Sequence, residues 1–525
     1  MKNNFSNILG LMLFMVLHTN MYAQEGVEVI CQVIDRSSDN HVVYATIYLK
    51  NNRIGTISDE KGNFRIPYEF KYRSDTLRVS SIGYETEEFP LTNLKIDEIN
   101  IIFITPKIES LEEVVLLSKK NNKTSLSARK IIKNAIERIP VNYPQESFSY
   151  IAYYRDYQQL PDSTVQRSRK NDFDTNYINL NEGIIKVFDG GFDTNKLIDE
   201  VNQTALYEFQ INKDFPIDSS LAVPYDNRDE KYLDGIIISP LGGNELNILN
   251  LTNAIRNFDT MSFSFVHVLN KNFLDNHNFR LVRITYFDDI PIYEIQFKLS
   301  ADRSAIYRAE GTIFIAKSSF AIHKLTYNLY EKKKNNHLYG VNMEYLPLGE
   351  EYYLNYITFN NSFELKLKDY FKLIDISYNF SNSYFRLSFN HTIDENSIKP
   401  WNKNFKIDYK NQRLKIINIQ SVSSKELKIT VPNIYIDDRE SFGENVRIKL
   451  KNIRDFNGGI IDDIPHLKVN QFREIFVQEV FPNSKLSEDL FLVRKNAPLA
   501  DSKINSFKGR SHYWVNTPLK SNKKN

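Results

Sequence analysis

Short segments in which apolar and polar residues alternate recur along most of this chain, and they constrain its fold more than any other feature. Residues 293–299, 311–315 and 321–327 are three consecutive examples. Alternation with a period of two gives a β-strand one apolar and one polar face. The composition agrees, because the chain has 31 Tyr and 35 Phe against only 2 Trp, and Tyr and Phe favour half-buried strands. The sequence therefore predicts a mainly β fold.

The length and charge of the chain narrow the class of protein further. A chain of 525 residues is too long for one ordinary core, and we expect about three or four domains. Lys and Arg number 67 and Asp and Glu 65, so the formal charge is only +2. A near-neutral chain creates no field that attracts nucleic acid. We therefore expect a multidomain globular protein without a nucleic-acid partner.

The first 23 residues carry an export signal. Lys2 is positive, residues 8–17 form an apolar run, and Ala23 supplies a small residue for cleavage. This order is typical of a cleaved signal peptide, predicted at residues 1–23. No later stretch reaches the roughly 18 apolar residues of a membrane span, so no transmembrane helix is predicted. We expect an exported protein of a Gram-negative bacterium, in the periplasm or associated with the outer membrane.

Residues 27–105 contain short strands at regular spacing with glycines in the turns. Their order, with Ala45-Thr46-Ile47, Gly55-Thr56, Asp59 before Gly62 and Phe64, and Ile82-Gly83-Tyr84, resembles the carboxypeptidase regulatory-like module. The resemblance implies a transthyretin-like β-sandwich of the kind found ahead of TonB-dependent receptors. Residues 111–115 also resemble the segment that leads out of this module. The rest of the chain is short for a receptor's plug and large barrel, so we do not expect a transporter.

Residues 106–126 are predicted to be a linker, and residues 127–370 a central domain. Ser127 is placed to cap a helix that ends at Pro140, with apolar residues at helical spacing. The strands that follow predict a curved antiparallel sheet on which this one helix packs. The order Gly-x-Ile-x-Ile, polar turn, Ala-Ile from Gly311 to Ile322 is similar to sheets of the lipoprotein-carrier type, in which a half-barrel holds apolar chains.

Residues 371–458 are predicted to form a second β-sandwich. The strand at 446–450, the order Asn-Ile-x-Asp at 452–455 and the glycines at 458–459 resemble a bacterial Ig-like module. Such modules are spacers or binding scaffolds, which is what the resemblance implies here. Residues 459–525 are predicted to be a docking segment, with the apolar stretch 471–481 against the central domain, and a mobile tail from Pro498.

The chain has few candidates for chemistry. None of its nine histidines begins a His-x-x-Glu or His-x-x-x-His pair of zinc ligands, and it has neither a Gly-x-Ser-x-Gly turn nor a phosphate-binding Gly-x-x-x-x-Gly-Lys loop. Its single cysteine, Cys31, has apolar neighbours that indicate a buried strand position. We therefore assign no catalytic, cofactor-binding or metal-binding residue and no cofactor, and the expectation is that the protein is not an enzyme.

Three further groups of residues have a structural and a functional interpretation. The acidic clusters at 288–289, 437–440 and 462–463 suit solvated loops, or calcium binding and glycoside cleavage if they converge. His41, His267 and His323 suit packing or the surface better than ligation. The aromatic clusters at 150–154 and 352–353 suit a sheet face better than stacking on sugars.

The leading hypothesis is a non-enzymatic cell-envelope protein with a binding or scaffold role near the outer membrane. Its partner would be an envelope protein or outer-membrane barrel, and a glycan or an amphiphile is the alternative ligand. One competing hypothesis is a periplasmic hydrolase of glycan or peptide. Another is an accessory component of an outer-membrane transport system. Two convergent carboxylates in a central cleft would favour the hydrolase, and an apolar sheet face would favour binding.

Overall fold

The computed structural model divides the chain into two compact units, of which the second is Glu364–Val469. The residues that the structure describes are 28–51, 54–72, 75–96, 98–109, 126–160, 177–211, 231–233, 236–237, 245–259, 272–300, 307–331, 333, 335–366, 369–399, 401–433, 442–486, 489–494, 497–506, 513 and 515. The predicted signal peptide and most of the predicted linker lie outside these residues.

The first unit begins with a module of two small sheets. Its strands are β1 (Glu28–Asp35), β2 (Thr46–Leu49), β3 (Gly55–Ile57), β4 (Asn63–Pro67), β5 (Thr76–Ser80), β6 (Glu87–Pro90) and β7 (Asn100–Ile104), with 3₁₀ turns at Tyr68–Tyr72 and Leu91–Asn93. One sheet has the order β4-β1-β7 and the other β3-β2-β5-β6. Apolar residues of both sheets form one core. This arrangement confirms the predicted β-sandwich.

Two residues show how the sequence determines this module. Cys31 on β1 is fully buried in the core, and burial raises the pKa of its thiol, which keeps it in the inert protonated form. Gly62 has φ +74°, and a Cβ there would lie 2.6 Å from the Val33 carbonyl oxygen. Only glycine fits this turn, which connects β3 to β4 and whose Gly62 carbonyl accepts from the Val33 amide of β1 at 2.8 Å.

The chain then enters a larger domain. Its elements, in order, are β8 (Ile108–Glu109), α1 (Ala128–Glu137), α2 (Ile139–Asn142), β9 (Phe148–Gln159), β10 (Tyr177–Asp189), β11 (Gln203–Ile211), β12 (Lys231–Leu233), β13 (Ile236–Ile237), α3 (Glu245–Thr252), α4 (Phe273–Asn276), β14 (His277–Phe287), β15 (Ile290–Leu299), β16 (Tyr307–Ala316), β17 (Ile322–Glu331), β18 (Asn336–Leu348) and β19 (Glu351–Lys366).

The second unit follows β19 in the sequence and is a sandwich of its own. Its elements are β20 (Leu373–Asn379), β21 (Tyr384–Phe389), a 3₁₀ turn (Glu395–Ile398), α5 (Trp401–Asn404), β22 (Phe405–Tyr409), β23 (Gln412–Arg413), β24 (Asn418–Ser423), β25 (Glu426–Thr430), α6 (Phe442–Asn445) and β26 (Val446–Leu450). The sheets β20-β21-β25-β24 and β23-β22-β26 enclose one apolar core. The Ig-like assignment of this sandwich stays a prediction.

The last strand, β27 (His466–Phe481), returns to the first unit and completes a sheet of 11 strands. The order is β11-β10-β9-β27-β19-β18-β17-β16-β15-β14-β8. The stretch 471–481, predicted to dock on the central domain, is thus a strand inside its sheet, paired antiparallel with β9. Ile475 and Val477 of β27 are buried in the main core on one face of the sheet, and Phe476 is buried against the N-terminal module on the other.

One face of this sheet carries the main core. Ser127 caps α1 by accepting a hydrogen bond from the Lys130 amide at 3.3 Å, and Ile131, Ile132 and Ala135 of α1 are buried in the core. The consecutive pairings of β15, β16 and β17 are antiparallel, as their alternation predicts. At Gly311 a Cβ would lie 1.9 Å from the Thr326 carbonyl oxygen, so these two strands require glycine there.

Three local features differ from the sequence expectations. The sequence indicates one packed helix, whereas α2, α3 and α4 also place residues in the core, and α3 has eight residues. Ile108–Glu109, in the predicted linker, pairs with β14 as an edge strand. Part of the predicted mobile tail is packed, since Leu499 is buried and the Asn505 amide donates to the Leu206 carbonyl at 2.8 Å.

Candidate functional site

Helix α3 and the segment after it separate two small cavities on the core face of the large sheet. The first, of about 30 Å³, is lined by half-buried residues of α3 and by the exposed Arg494. The second, of about 20 Å³, lies among buried side chains that include Tyr150, Phe192 and Tyr345. Lys196 and Asn250 line both cavities. Each volume has room for about one or two waters. Helix α3 therefore occupies most of the space between the outer and the inner cavity.

Two hydroxyl groups of the sheet hold the end of α3. Tyr327 Oη donates to the Thr252 carbonyl at 3.0 Å. The side-chain amide of Asn253 donates to Tyr345 Oη at 2.8 Å, and Tyr345 Oη donates to Asn253 Oδ1 at 3.0 Å. Burial raises the pKa of both tyrosines well above the ordinary range, so both hydroxyls stay protonated donors. The carboxyl end of the helix is therefore held to the sheet by two side chains.

A buried ionic cluster borders the inner cavity. Asp189, at the end of β10, lies 2.8 Å from Lys196 Nζ and 2.9 Å from Arg256 Nη2. Burial alone would raise the pKa of Asp189, but the two cations outweigh it and lower this pKa to about 2. Arg256 also donates to the carbonyl groups of Gly191 and Thr194. The cluster carries two cations against one carboxylate, and it joins the loop after β10 to the segment after α3.

The opposite face of the sheet holds the N-terminal module through buried polar contacts. Arg155 on β9 and Glu474 on β27 form a fully buried ion pair, and Tyr44 of the module donates to Glu474 at 3.2 Å. Burial raises the pKa of Glu474, against the opposing effect of Arg155. Farther along, Thr46 donates to Glu344 at 3.1 Å. These contacts fix the module to the centre of the sheet.

A second attachment accounts for one of the acidic clusters seen in the sequence. Asp288, in the turn between β14 and β15, pairs with Arg78 of the module at 2.8 Å. Asp289 pairs with Lys107 at 3.1 Å. Beside them the Gly83 amide donates to the Tyr286 carbonyl at 2.8 Å. The two carboxylates therefore bind the module and do not converge on a ligand.

The structure places the other sequence candidates apart from one another. His323 is fully buried between the rings of Phe287 and Tyr352, whereas His41 is exposed. The aromatic residues at 150, 153, 154, 352 and 353 are buried, as the packing interpretation predicts. Asp462 and Asp463 lie in an exposed turn of the second unit. His267 and the acidic residues 437–440 lie outside the described residues.

The described residues give little support to hydrolysis or metal chemistry at these sites. The linings of the two cavities contain one carboxylate, Asp189, and its charge is balanced by Lys196 and Arg256. Within the same described ranges, no group of three or more His, Cys, Asp or Glu side chains could hold a metal ion. Sequence reasoning missed Asp189, Lys196 and Arg256, because 67 residues separate Asp189 from Arg256 and no local pattern joins them.

Comparisons with known proteins identify part of the chain. Residues 31–116 match the family described as CarboxypepD_reg-like domain. This confirms the resemblance of the N-terminal module. No curated protein matches the chain. Among the described residues, no helix has the length and apolar character needed to cross a membrane.

Two solved structures are similar to part of the chain. One is a LolA superfamily protein from Nitrosomonas europaea, with 14% identity and a TM-score of 0.18, covering 45% of this chain and 86% of that one. The other is a putative outer membrane lipoprotein-sorting protein domain from Vibrio parahaemolyticus, with 9% identity and a TM-score of 0.19, covering 45% and 85%. Such low scores and identities carry no argument about what this chain binds.

Proposed function

We propose that this chain is a non-enzymatic, exported cell-envelope protein that binds an amphiphile on the core face of its large sheet. The apolar part of the ligand would take the space now filled by α3. The observation that carries the proposal is that α3 separates a surface cavity from a core cavity, and that both share Lys196 and Asn250.

Movement of α3 would join the two cavities and expose apolar surface. Ile248 and Leu249 of α3 are buried in the same core as Phe148, Tyr150 and Ile357 of the sheet. With the helix in place, neither cavity approaches the roughly 300–1,000 Å³ of a typical ligand site. Binding therefore requires displacement of the helix. The apolar part of the ligand would then lie on the sheet residues that Ile248 and Leu249 now cover.

The helix is suited to such movement. It has eight residues, and helices of this length are marginal without tertiary contacts. Tyr327 and Tyr345 of the sheet form hydrogen bonds at the carboxyl end of the helix. Because a buried hydrogen bond contributes about 0.5–1.5 kcal/mol, the two hydroxyls together contribute about 2 kcal/mol to the closed position of the helix, in addition to the burial of Ile248 and Leu249.

The charges around the cavities favour an anionic head group. Lys196 and Arg256 face one carboxylate, Asp189, and Arg494 adds an exposed cation at the outer cavity. Among the described residues of the two linings, three cationic side chains thus accompany one carboxylate. A carboxylate or phosphate head group would complement these cations, while the chain of the same molecule lies on the sheet.

Binding of two fluorescent probes to the purified mature chain tests the proposal. One probe is a fatty acid, and the other is the fatty alcohol of the same chain length. We expect both to bind, the acid more tightly, and Arg494→Gln to weaken only the acid. Replacing Tyr327 and Tyr345 by Phe removes the two hydrogen bonds that hold α3, and with them about 2 kcal/mol of the free energy that favours its closed position. This corresponds to a roughly thirtyfold larger open population, so the variant should take up the probes faster.

Tyr353→Phe is the matched control, because the Tyr353 hydroxyl donates to Glu351 at 2.6 Å and does not hold α3. This variant is expected to take up the probes at the wild-type rate. If wild-type protein binds neither probe, and carries no lipid when it is isolated from the envelope, the amphiphile proposal is wrong.

A scaffold role is the second candidate, and the attachment of the module favours it. The module is held both at Glu474 and at Asp288, which are separate points on the sheet. A fixed module could present a constant surface to an outer-membrane partner. Crosslinking in intact cells from the exposed Val43 and Ile101 of the module would test this, with one barrel protein captured from both positions as the expected result.

A further inference from the structure

We propose that the second unit has a binding site for a neutral carbohydrate, formed around the exposed ring of Phe456. This site does not depend on the amphiphile proposal, since every residue involved belongs to Glu364–Val469. The site is a cleft of about 390 Å³. That volume lies in the range of roughly 300–1,000 Å³ that is usual for ligand sites, unlike the two cavities of the first unit.

Phe456 is exposed but firmly placed. Its side chain is 79% exposed, although burying a Phe ring would stabilise a protein by about 1.5–3 kcal/mol. Its amide donates to the Thr392 carbonyl at 2.8 Å. Asp455 Oδ1 accepts from the amides of Asn457 at 3.0 Å and Gly459 at 2.7 Å. The turn therefore presents the ring to solvent in a fixed backbone geometry.

An aromatic ring of this kind suits a sugar. The face of the ring carries negative charge density, and one side of a pyranose presents polarised C–H groups that can stack on it. The hydroxyl groups at the edge of the sugar need partners that both donate and accept. The Asn457 amide and the Thr392 hydroxyl, which line the same cleft, supply both kinds of group.

The charges in the cleft balance when Asp369, which lies outside the lining and binds His391, is counted with them, and this balance favours a neutral sugar. His391 lies between Asp455, at 2.8 Å from Nδ1, and Asp369, at 2.7 Å from Nε2. These hydrogen bonds raise the pKa of His391. With the imidazole protonated, it and Lys425 offset the two carboxylates. Lys425 Nζ also donates to the Asn390 carbonyl at 2.8 Å, leaving further N–H groups for a sugar hydroxyl.

A peptide is the less suitable occupant. The cleft has one exposed ring beside polar groups, and a peptide would be better served by an open strand edge with apolar pockets. His391 is occupied at both nitrogens, so it forms a wall of the cleft and has no free nitrogen with which to act as a base.

Titration calorimetry of the mature full-length chain with cellohexaose, xylohexaose, mannohexaose and maltohexaose tests the proposal. We expect at least one of them to bind. Phe456→Ala should weaken that binding roughly tenfold, as expected for loss of a stacking contact, and Phe456→Tyr should retain it. Because Phe456 is exposed, neither change should unfold the unit. Phe103→Ala, at a partly exposed ring of the N-terminal module, is the control and should bind as wild type.

Three results would overturn the proposal. In the first, none of the four oligosaccharides binds at millimolar concentration. In the second, Phe456→Ala binds as tightly as wild type. In the third, a proline-rich peptide binds wild type and loses affinity in Phe456→Ala, while none of the sugars does so. Loss of amphiphile binding in the first unit would leave all these measurements unaffected, so the two proposals fail separately.

Discussion

His323 makes the stability of the first unit depend on pH. It is fully buried on β17, and burial lowers the pKa of its imidazole from 6.5 to about 3. Neither ring nitrogen has a hydrogen-bond partner among the described residues. The residue sits at a bulge, since Phe314 pairs with Lys324 and Ile315 with Ile322. The extra residue between these pairs places the imidazole against two aromatic rings instead of a polar partner.

The sign and size of the effect follow from this lowered pKa. The unfolded chain binds a proton at His323 below about pH 6.5, whereas the folded chain does not until about pH 3. Stability is therefore fully present above pH 6.5 and is lost as the pH falls through this window. Acidification from pH 7 to 4.5 should cost about 3 kcal/mol at this residue alone, and complete titration about 5 kcal/mol.

The variant His323→Leu removes the titratable imidazole and replaces it with an apolar side chain of similar size. Hydrogen exchange of the β17 amides, measured between pH 7 and 4.5, reports the free energy of opening. We expect the wild-type value to fall with pH and the variant value to fall by about 3 kcal/mol less. His41→Leu, at an exposed histidine, is the control and should follow wild type. If His323→Leu and wild type show the same pH dependence, the reasoning is refuted.

Three further changes test the packing of the first unit by urea denaturation. Glu474→Gln removes the carboxylate of a fully buried ion pair and should lower the free energy of unfolding by about 3–5 kcal/mol; an unchanged midpoint would contradict this. Asp189→Asn should have a similar cost, because two buried cations lose their counter-charge, and it should be partly relieved by also replacing Arg256 with Met. Gly311→Ala should prevent normal folding, because its Cβ would overlap the Thr326 carbonyl; a wild-type midpoint would disprove the close approach.

Local sequence patterns were sufficient for the elements whose signals are local. Ser127 and the apolar residues of α1 predict a helix that the structure contains, and alternation predicts the strands from β15 to β17. The tyrosines of β9 do not follow from this rule, because Tyr153 and Tyr154 lie on opposite faces of the sheet and both are buried. Helix α3 was missed because its eight residues include two asparagines, which weaken a helical pattern. Propensity and periodicity thus account for element type over much of the sheet.

Partners distant in the sequence could not be predicted in this way. Glu474 meets Arg155 across 319 residues, and Asp288 meets Arg78 of the N-terminal module. The apolar stretch 471–481 predicts packing on the central domain, but it does not show that the segment is a strand or which strands it joins. Charged residues at those positions suggest exposure, and only the assembled sheet reveals that they are buried pairs. The candidate sites were missed for the same reason, since Lys425, Thr392 and Phe456 come together through the fold.

The positions of the buried charges connect the fold of the first unit to its proposed role. Arg155 and Glu474 lie on the face that carries the module, whereas Asp189, Lys196 and Arg256 border the cavities on the other face. The module contacts the sheet at strands β9, β18 and β27 and at the turn after β14, and none of these contacts involves α3. Displacement of α3 by a ligand would therefore leave the module in place. The core face could open and close while the module keeps a constant surface, which makes amphiphile binding and a scaffold role compatible in one chain.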